Sequence, residues 1–277
     1  MSNNIGWCDC TINPVVGCAP CSPGCNRCYA ARFASRLAKN PQTAAKYRGV
    51  VDGRGWWNGE VSDPDWSCFA KLPKAPRRVF VGSMTDIFYD PTATYLRKLF
   101  TLMASFPQHI FLLLTKRPEN MKFWLDTNGD CPQNIWLGVT VCDQDEADTK
   151  LPVLMESRAH RRFVSIEPML GPIDLEAVSF KHSEGFFGSP LRWHHIPNCR
   201  REELKGGEIY PALNWVICGG ESGPGARQMH QDWVRCLRDQ CVEAGVPFYF
   251  KGWGETKKTP ALLDGREWRE FPKQEKA

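Results

Sequence analysis

A chain of 277 residues with 42% hydrophobic and 24% charged side chains has the composition of an ordinary globular protein, long enough for one large α/β domain or two small ones. Its densest apolar run, IFLLL at 110–114, falls well short of the roughly 20 residues that a membrane span needs, so no membrane association is expected. A net charge of +4 is compatible with an anionic ligand or nucleic acid without requiring either.

The opening MSNNIGWCDC has no basic segment followed by an apolar one, so a cytoplasmic protein is expected. Seven short apolar runs then follow, each ending in polar residues. TINPVVG (11–17) leads into a cysteine-rich loop, and YAARFASRLAKN (29–40) reads as the first helix, with Phe33 and Leu37 four apart. RRVFVGSMTD (77–86) ends in Ser83, Thr85 and Asp86, and the helical pattern TATYLRKLFTLMASF (92–106) comes next. HIFLLLTKRPE (109–119) ends in Thr115, Lys116 and Arg117, and NIWLGVTV (134–141) ends near Cys142 and Asp143. RFVSIEPML (162–170) ends at Glu167, and NWVICGGESGPGAR (214–227) in a glycine-rich turn with Glu221 and Arg227. DWVRCLRDQCVEAG (232–245) reads as a helix capped by Asp232 and stopped by Gly245, and PFYFKGWGE (247–255) closes the series at Lys251.

Near-continuous apolar strands alternating with helices predict a parallel sheet covered by helices. Six or seven such units predict one domain over residues 1–277, a partial or closed (β/α) barrel. Two stretches break the repeat, at about 41–76 and 176–211, and read as long insertions suited to a lid or rim. In the C-terminal extension (256–277), PALLDGREWREFP signals a hairpin turning at Asp264-Gly265. The polar ends of the strands are expected to converge on one mouth, bringing together Ser83, Asp86, Lys116, Glu167, Glu221, Arg227 and Lys251.

Thirteen cysteines are many, and in a reducing compartment they are not expected as disulfides. Isolated ones such as Cys68, Cys142, Cys218 and Cys241 read as small core hydrophobes. GCAPCSPGCNRCYA (17–30) is different, because Cys18, Cys21, Cys25 and Cys28 fall within eleven residues of a Gly/Pro-rich loop. Four thiolates suit zinc, but zinc ribbons separate their pairs by roughly 15–20 residues so that the chain can wrap the ion. Only Ser22 to Gly24 separate these pairs. A redox C-x-x-C pair usually opens the helix of a thioredoxin-type unit, and the order of elements here is another one. An iron–sulfur cluster suits the tight spacing better.

Counted from Cys21, the spacing C-x3-C-x2-C resembles the signature of radical S-adenosylmethionine (SAM) enzymes. Tyr29 follows the last cysteine, however, and Arg27 stands where an aromatic residue is common in that superfamily. INPVVGC, SPGCNRCYA, RRVFVGSMTDIF, LLTKRPE, IWLGVTV, SIEPMLGPIDL, WVICGGESGPGARQM and GVPFYFKGWGE, spread over about residues 5–272, together resemble the phage-associated three-cysteine-motif family. That resemblance implies a ligand set spaced C-x6-C-x2-C, namely Cys18, Cys25 and Cys28, with Cys21 as the alternative third ligand. It implies a (β/α) barrel of the radical SAM type and a [4Fe-4S] cluster with one iron left open to the amino and carboxylate groups of SAM. Reductive cleavage of SAM to a 5′-deoxyadenosyl radical and hydrogen abstraction from a substrate would follow. An external one-electron reductant of flavodoxin or ferredoxin type, and the cytoplasm of a bacterium or phage-infected host, are implied as well. The implied substrate is a nucleoside or a nucleobase such as a hypermodified thymine in DNA, with isomerase or base-modifying chemistry.

Further roles attach to the strand ends. Ser83, Thr85 and Asp86 have the acceptors for the SAM amino group, with Tyr29 beside the last cysteine as a cofactor contact. Lys116 and Arg117 suit a SAM carboxylate or a substrate phosphate, and Glu167 suits ribose hydroxyls. Glu221, Arg227 and Lys251 are expected to contact substrate, with Lys116, Glu221 and Lys251 as catalytic groups and Trp253 stacking on a base. GGESGPGAR lacks both the dinucleotide-binding order and the P-loop Lys-Ser/Thr, so neither nucleotide fingerprint applies. His194, His195 and Cys199 form a weak second metal set. Two other classes stay open. One is a zinc-bearing nucleic-acid-binding or adaptor protein without redox chemistry. The other is a hydrolase or transferase that uses strand-end acids beside a structural metal.

Overall fold

The computed structural model describes residues 5–181, 187–188, 213–254 and 260–273. In chain order the strands are β1 (Cys10–Ile12), β2 (Arg78–Val81), β3 (Ile110–Thr115), β4 (Ile135–Thr140), β5 (Arg161–Ile166), β6 (Phe180–Lys181), β7 (Phe187–Gly188), β8 (Trp215–Gly219), β9 (Phe248–Gly252), β10 (Leu262–Leu263) and β11 (Arg266–Glu267). The helices are α1 (Tyr29–Lys39), α2 (Ala44–Tyr47), α3 (Ser67–Ala70), α4 (Ala93–Ala104), α5 (Pro118–Asn128), α6 (Gln144–Glu156) and α7 (Gln231–Ala244). All seven apolar runs are strands, and they form one sheet in the order β1-β2-β3-β4-β5-β8-β9. Strands β1 to β3 pair in parallel, as do β5, β8 and β9. This sequential order is consistent with a partial (β/α) barrel. Among the described residues no helix is long and apolar enough to cross a membrane.

Two compact units divide the chain, Met1–Gly138 with Arg158–His160 and Val139–Ser157 with Arg161–Ala277. In the first, β1 is shorter than the run TINPVVG suggests. It stops at Ile12 because Asn13 precedes Pro14, which has no N–H to continue a ladder. Helix α1 buries a different face from the one marked by Phe33. Phe33 is exposed under the Arg36 guanidinium, while Ala30, Ala31, Ala34 and Ala38 pack on Val16, Val50, Trp57 and Met84. Leu37 is half-buried against the same cluster. Alanines let the helix backbone come close to the chain beneath it, which larger side chains would hold off. The stretch 41–76 belongs to this packing: it contributes Tyr47, Val50 and Trp57 to that cluster, and its Phe69 is buried as well.

In the second unit β5 and β8 are buried over most or all of their length, consistent with a sheet covered on both faces. The cap of helix α7 lies two residues before the expected one. His230 is the N-cap, its Nδ1 accepting from the Asp232 N–H at 3.3 Å, and Asp232 lies in the first turn, where its charge meets the positive end of the helix. Gly245 ends it with φ 66°, as expected. The hairpin β10–β11 turns through Asp264 (φ 52°) and Gly265 (φ 79°), the two left-handed positions of a type I′ turn. Asp264 is held there by Arg235 and Arg238 at 2.7 and 2.6 Å. Most of the 176–211 insertion, including His194, His195 and Cys199, lies outside the described residues; β6 and β7 pair antiparallel within it.

Candidate functional site

The cysteine loop leaves the C-terminal end of β1 through Gly17. Its φ is 109°, and a Cβ there would lie 2.2 Å from the Glu60 carbonyl oxygen, so only glycine fits. The Gly17 N–H donates to the Met84 carbonyl at 3.0 Å, and the Thr85 hydroxyl donates to the Gly17 carbonyl at 2.6 Å. The GSMTD turn after β2 therefore anchors the first residue of the cysteine loop. Ser22 then caps a 3-10 turn, Pro23–Arg27, by accepting from the Gly24 N–H at 3.2 Å. Within that turn the Cys25 N–H donates to the Ser22 carbonyl at 2.8 Å, and the Cys28 N–H to the Cys25 carbonyl at 3.1 Å. Cys28 is in turn the N-cap residue of α1. Cys18, Cys25 and Cys28 are half-buried and Cys21 is exposed.

The surroundings treat these thiols unequally. Burial pushes Cys18 up to about 11; the Asp86 carboxylate adds to this, while Arg117 and the Asp86 backbone N–H oppose it. Cys25 moves the other way, chiefly because the Cys21 thiol donates a hydrogen bond to it. Lys116 and the backbone N–H groups of Cys21 and Ser22 also favour its thiolate. Cys21 is correspondingly raised, since its proton is the one shared. The shift on Cys25 is thus downward where those on Cys18 and Cys21 are upward. Backbone N–H donors on a cysteine sulfur are among the contacts that tune iron–sulfur centres, so the donor set suits such a group. Among the described residues no three His, Cys, Asp or Glu side chains are grouped as a single metal ion would need. A cluster makes a different demand, because each thiolate caps its own iron.

Asp86 and Arg117 strap this loop to β2 and β3. Asp86, 7% exposed, accepts from the Thr115 hydroxyl (2.7 Å), the Lys116 N–H (2.8 Å), the Phe88 N–H (3.1 Å) and Arg117 Nη1 (3.2 Å). These take the roughly four acceptor positions of a carboxylate. Arg117 also donates to the Ala19 carbonyl at 2.7 Å and lies 4.7 Å over the Tyr89 ring. Arg117, expected at a substrate or SAM carboxylate, is thus engaged between the end of β2 and the cysteine loop. Ser83 exchanges hydrogen bonds with Asn13 at 3.1 and 3.2 Å, and the Tyr29 hydroxyl donates to the Ser83 carbonyl at 3.0 Å. Sequence patterns did not single out Asn13, Thr115 or Tyr89 as partners here. Asn13 and Thr115 do lie at strand ends, where a polar residue after an apolar run is the available signal.

The second unit holds its own polar set. Lys251 Nζ pairs with Glu167 Oε1. Gly219 makes room for them, since a Cβ there would lie 3.2 Å from both Glu167 Cγ and Lys251 Cβ. Glu221, 6% exposed, accepts from the Arg227 N–H (2.9 Å), Nε (3.0 Å) and Nη2 (2.5 Å). That bidentate pair closes the glycine-rich turn on itself. Trp253 is half-buried, its indole N–H on the Leu262 carbonyl at 3.1 Å and its ring 4.9 Å from Phe250. The sequence left a further buried pair unnoticed: Glu146 accepts from the Cys142 N–H at 2.9 Å and pairs with Lys150 at 2.5 Å. Cys142, Cys218 and Cys241 are buried, and burial raises the Cys218 and Cys241 thiols, in keeping with core roles; Cys68 is half-buried.

Gly220 and Gly254 carry a sharper requirement. A Cβ on Gly220 would meet the Trp253 carbonyl oxygen at 2.0 Å, and one on Gly254 the Glu221 oxygen at 2.1 Å. Two backbones are in direct contact, so neither can yield as a side chain would. Gly220→Ala is expected to cost about 3 kcal/mol, the upper end of overpacking penalties. A thermal unfolding scan reads this, and an unchanged midpoint would show that the two turns are not packed as described.

Comparison with known proteins gives the following. A family model described as "Protein of unknown function (DUF5131)" matches residues 2–272. No curated protein and no solved structure matches the chain.

Proposed function

We propose that this chain, which belongs to the DUF5131 family, is a radical SAM enzyme built on a partial (β/α) barrel of that superfamily's type. Cys18, Cys25 and Cys28 would hold the [4Fe-4S] cluster, with Cys21 the alternative third ligand. The observation that carries this is the loop after the first strand, which sets Cys25 on a Ser22-capped 3-10 turn and Cys28 at the start of α1, with Cys18 and Cys21 just before them. The exposure of Cys21, against half-buried Cys18, Cys25 and Cys28, favours the chosen three. When bound, the cluster would supply one electron, received from a flavodoxin- or ferredoxin-type reductant, to cleave SAM and generate the radical that takes hydrogen from the substrate.

The chain's own groups hold the loop in place. Asp86 and Arg117 lock it to β2 and β3, and the alanine face of α1 seals it beneath. Ser83 and Thr85 keep acceptor lone pairs in the GSMTD turn. They are assigned to the SAM amino group ahead of Asp86, whose acceptor positions are filled within the chain. The substrate class that the family resemblance implies is a nucleoside or a nucleobase, including one within DNA.

Anaerobic reconstitution with iron and sulfide is expected to give a brown protein with about four irons per chain. Dithionite and SAM should then yield 5′-deoxyadenosine. A colourless protein carrying a single zinc would overturn the proposal in favour of a zinc-bearing binding protein. An intact cluster that never yields 5′-deoxyadenosine would remove the radical step.

A further inference from the structure

Between Asp9 and Asp52 the chain carries six Lys or Arg side chains and no Asp or Glu. That stretch holds +6 against +4 for the whole chain, so all other residues together stand at −2. The surplus of positive charge is therefore concentrated here. Arg27, Arg36, Lys39 and Arg48 are exposed, and among the described residues none of these four has an ion-pair partner. Lys46 is committed within the chain, donating to the Asn13 carbonyl at 2.7 Å and lying 3.8 Å from Asp65. Arg32 is half-buried and donates to the Arg27 carbonyl at 3.2 Å.

Helix α1 arranges three of these cations in a stripe. Arg32, Arg36 and Lys39 stand at i, i+4 and i+7, opposite the face on which Ala30, Ala31, Ala34 and Ala38 are buried. At about 1.5 Å of rise per residue the stripe is roughly 10 Å long, which matches about three successive phosphates of a nucleic-acid strand. Phe33, 43% exposed, borders it, with the Arg36 guanidinium 5.4 Å from its ring centre. Compensation of the helix dipole accounts for Arg36 and Lys39 in the last turn. It accounts neither for Arg32 nor for a first turn without an acidic residue.

We propose that this face of α1 is a docking surface for a polynucleotide, with the stripe following the phosphates of one strand. Guanidinium groups match phosphate oxygens in pairs, and an exposed aromatic ring among them gives a base a surface on which to stack. A straight row of cations suits a regularly charged strand better than a folded acidic protein, whose carboxylates have no fixed spacing. Cys28 caps α1, so the surface adjoins the thiol loop. The proposal makes a polymer, rather than a free nucleoside, the carrier of the base, and in that respect it rests on the function proposed above. The binding itself needs no cluster.

The test uses the full iron-free chain and a fluorescein-labelled 20-nucleotide DNA, single-stranded and duplex, followed by anisotropy between 50 and 200 mM salt. Each phosphate contact contributes about 0.7–0.9 to the slope of log affinity against log salt, so the parent should show a slope of at least about −2. Arg32→Gln, Arg36→Gln and Lys39→Gln combined should remove about two units of that slope and weaken binding at least tenfold at the lower salt. A control with the same loss of charge, Lys71→Gln, Lys74→Gln and Arg77→Gln, should bind as the parent does. Circular dichroism of both triple variants checks that the fold is kept. Equal losses in the two variants, or a parent that binds polyglutamate as tightly as DNA, would overturn the proposal, the latter in favour of an acidic protein partner. A parent that binds neither DNA yet yields 5′-deoxyadenosine after reconstitution also sinks the docking face while leaving the radical reading intact. DNA binding lost in the α1 variant, by a chain that takes up no iron, supports the face and counts against the cluster.

Discussion

Cys25→Ala is expected to bring iron after reconstitution from about four atoms per chain to background. Cys25 is the thiol whose charged state the surroundings favour, through the Cys21 thiol, Lys116 and two backbone N–H groups. A ligand whose thiolate is favoured costs less to deprotonate on metal binding. The side chain is half-buried on a 3-10 turn, and the turn's own hydrogen bonds are made by backbone and Ser22. The fold should therefore survive, and an unchanged circular dichroism spectrum with lost iron separates ligand loss from unfolding. The companion variants assign the third ligand. Cys18→Ala should lose iron as Cys25→Ala does, and Cys21→Ala should retain it. Iron kept by Cys18→Ala would sink the favoured triad and transfer the role to Cys21.

Asp86→Ala should have the largest effect on stability. Asp86 receives two backbone N–H groups, a buried hydroxyl and the Arg117 guanidinium, whose side chain is 15% exposed. Removing one partner of a buried ion pair leaves the other charge without compensation, a loss of about 3–5 kcal/mol. For a unit of this size that lowers the thermal midpoint on the order of 10 °C. The same physics predicts partial recovery when the orphaned cation is removed too. Asp86→Leu combined with Arg117→Met should unfold at a higher temperature than Asp86→Ala alone, because apolar side chains can fill the space that an unpaired charge cannot. Should the single variant melt like the parent, the strap is not what holds the cysteine loop to the strands.

Much of this was readable from the chain itself. The seven strands were legible because strands buried on both faces leave unbroken apolar runs, and β3 and β4 are such runs. The thiol loop was legible because four cysteines in eleven residues have few bland explanations. Glycine stops and the Asp264-Gly265 turn were legible because positive φ is a local, steric demand. Partnership was not. The sequence offers Asp86 and Arg117 as free polar ends for a ligand, and the fold binds them to each other; it treats Glu221 and Arg227 the same way. It offers Phe33 as the buried face of α1, and the fold buries the alanines. Composition and spacing thus determined the strand series, the turns and the thiol donors, because these depend on neighbours along the chain. Which charges are spent within the protein was decided only by tertiary structure. Those contacts join residues as far apart as Ala19 and Arg117, and a carboxylate has only so many lone pairs to share among the donors that reach it.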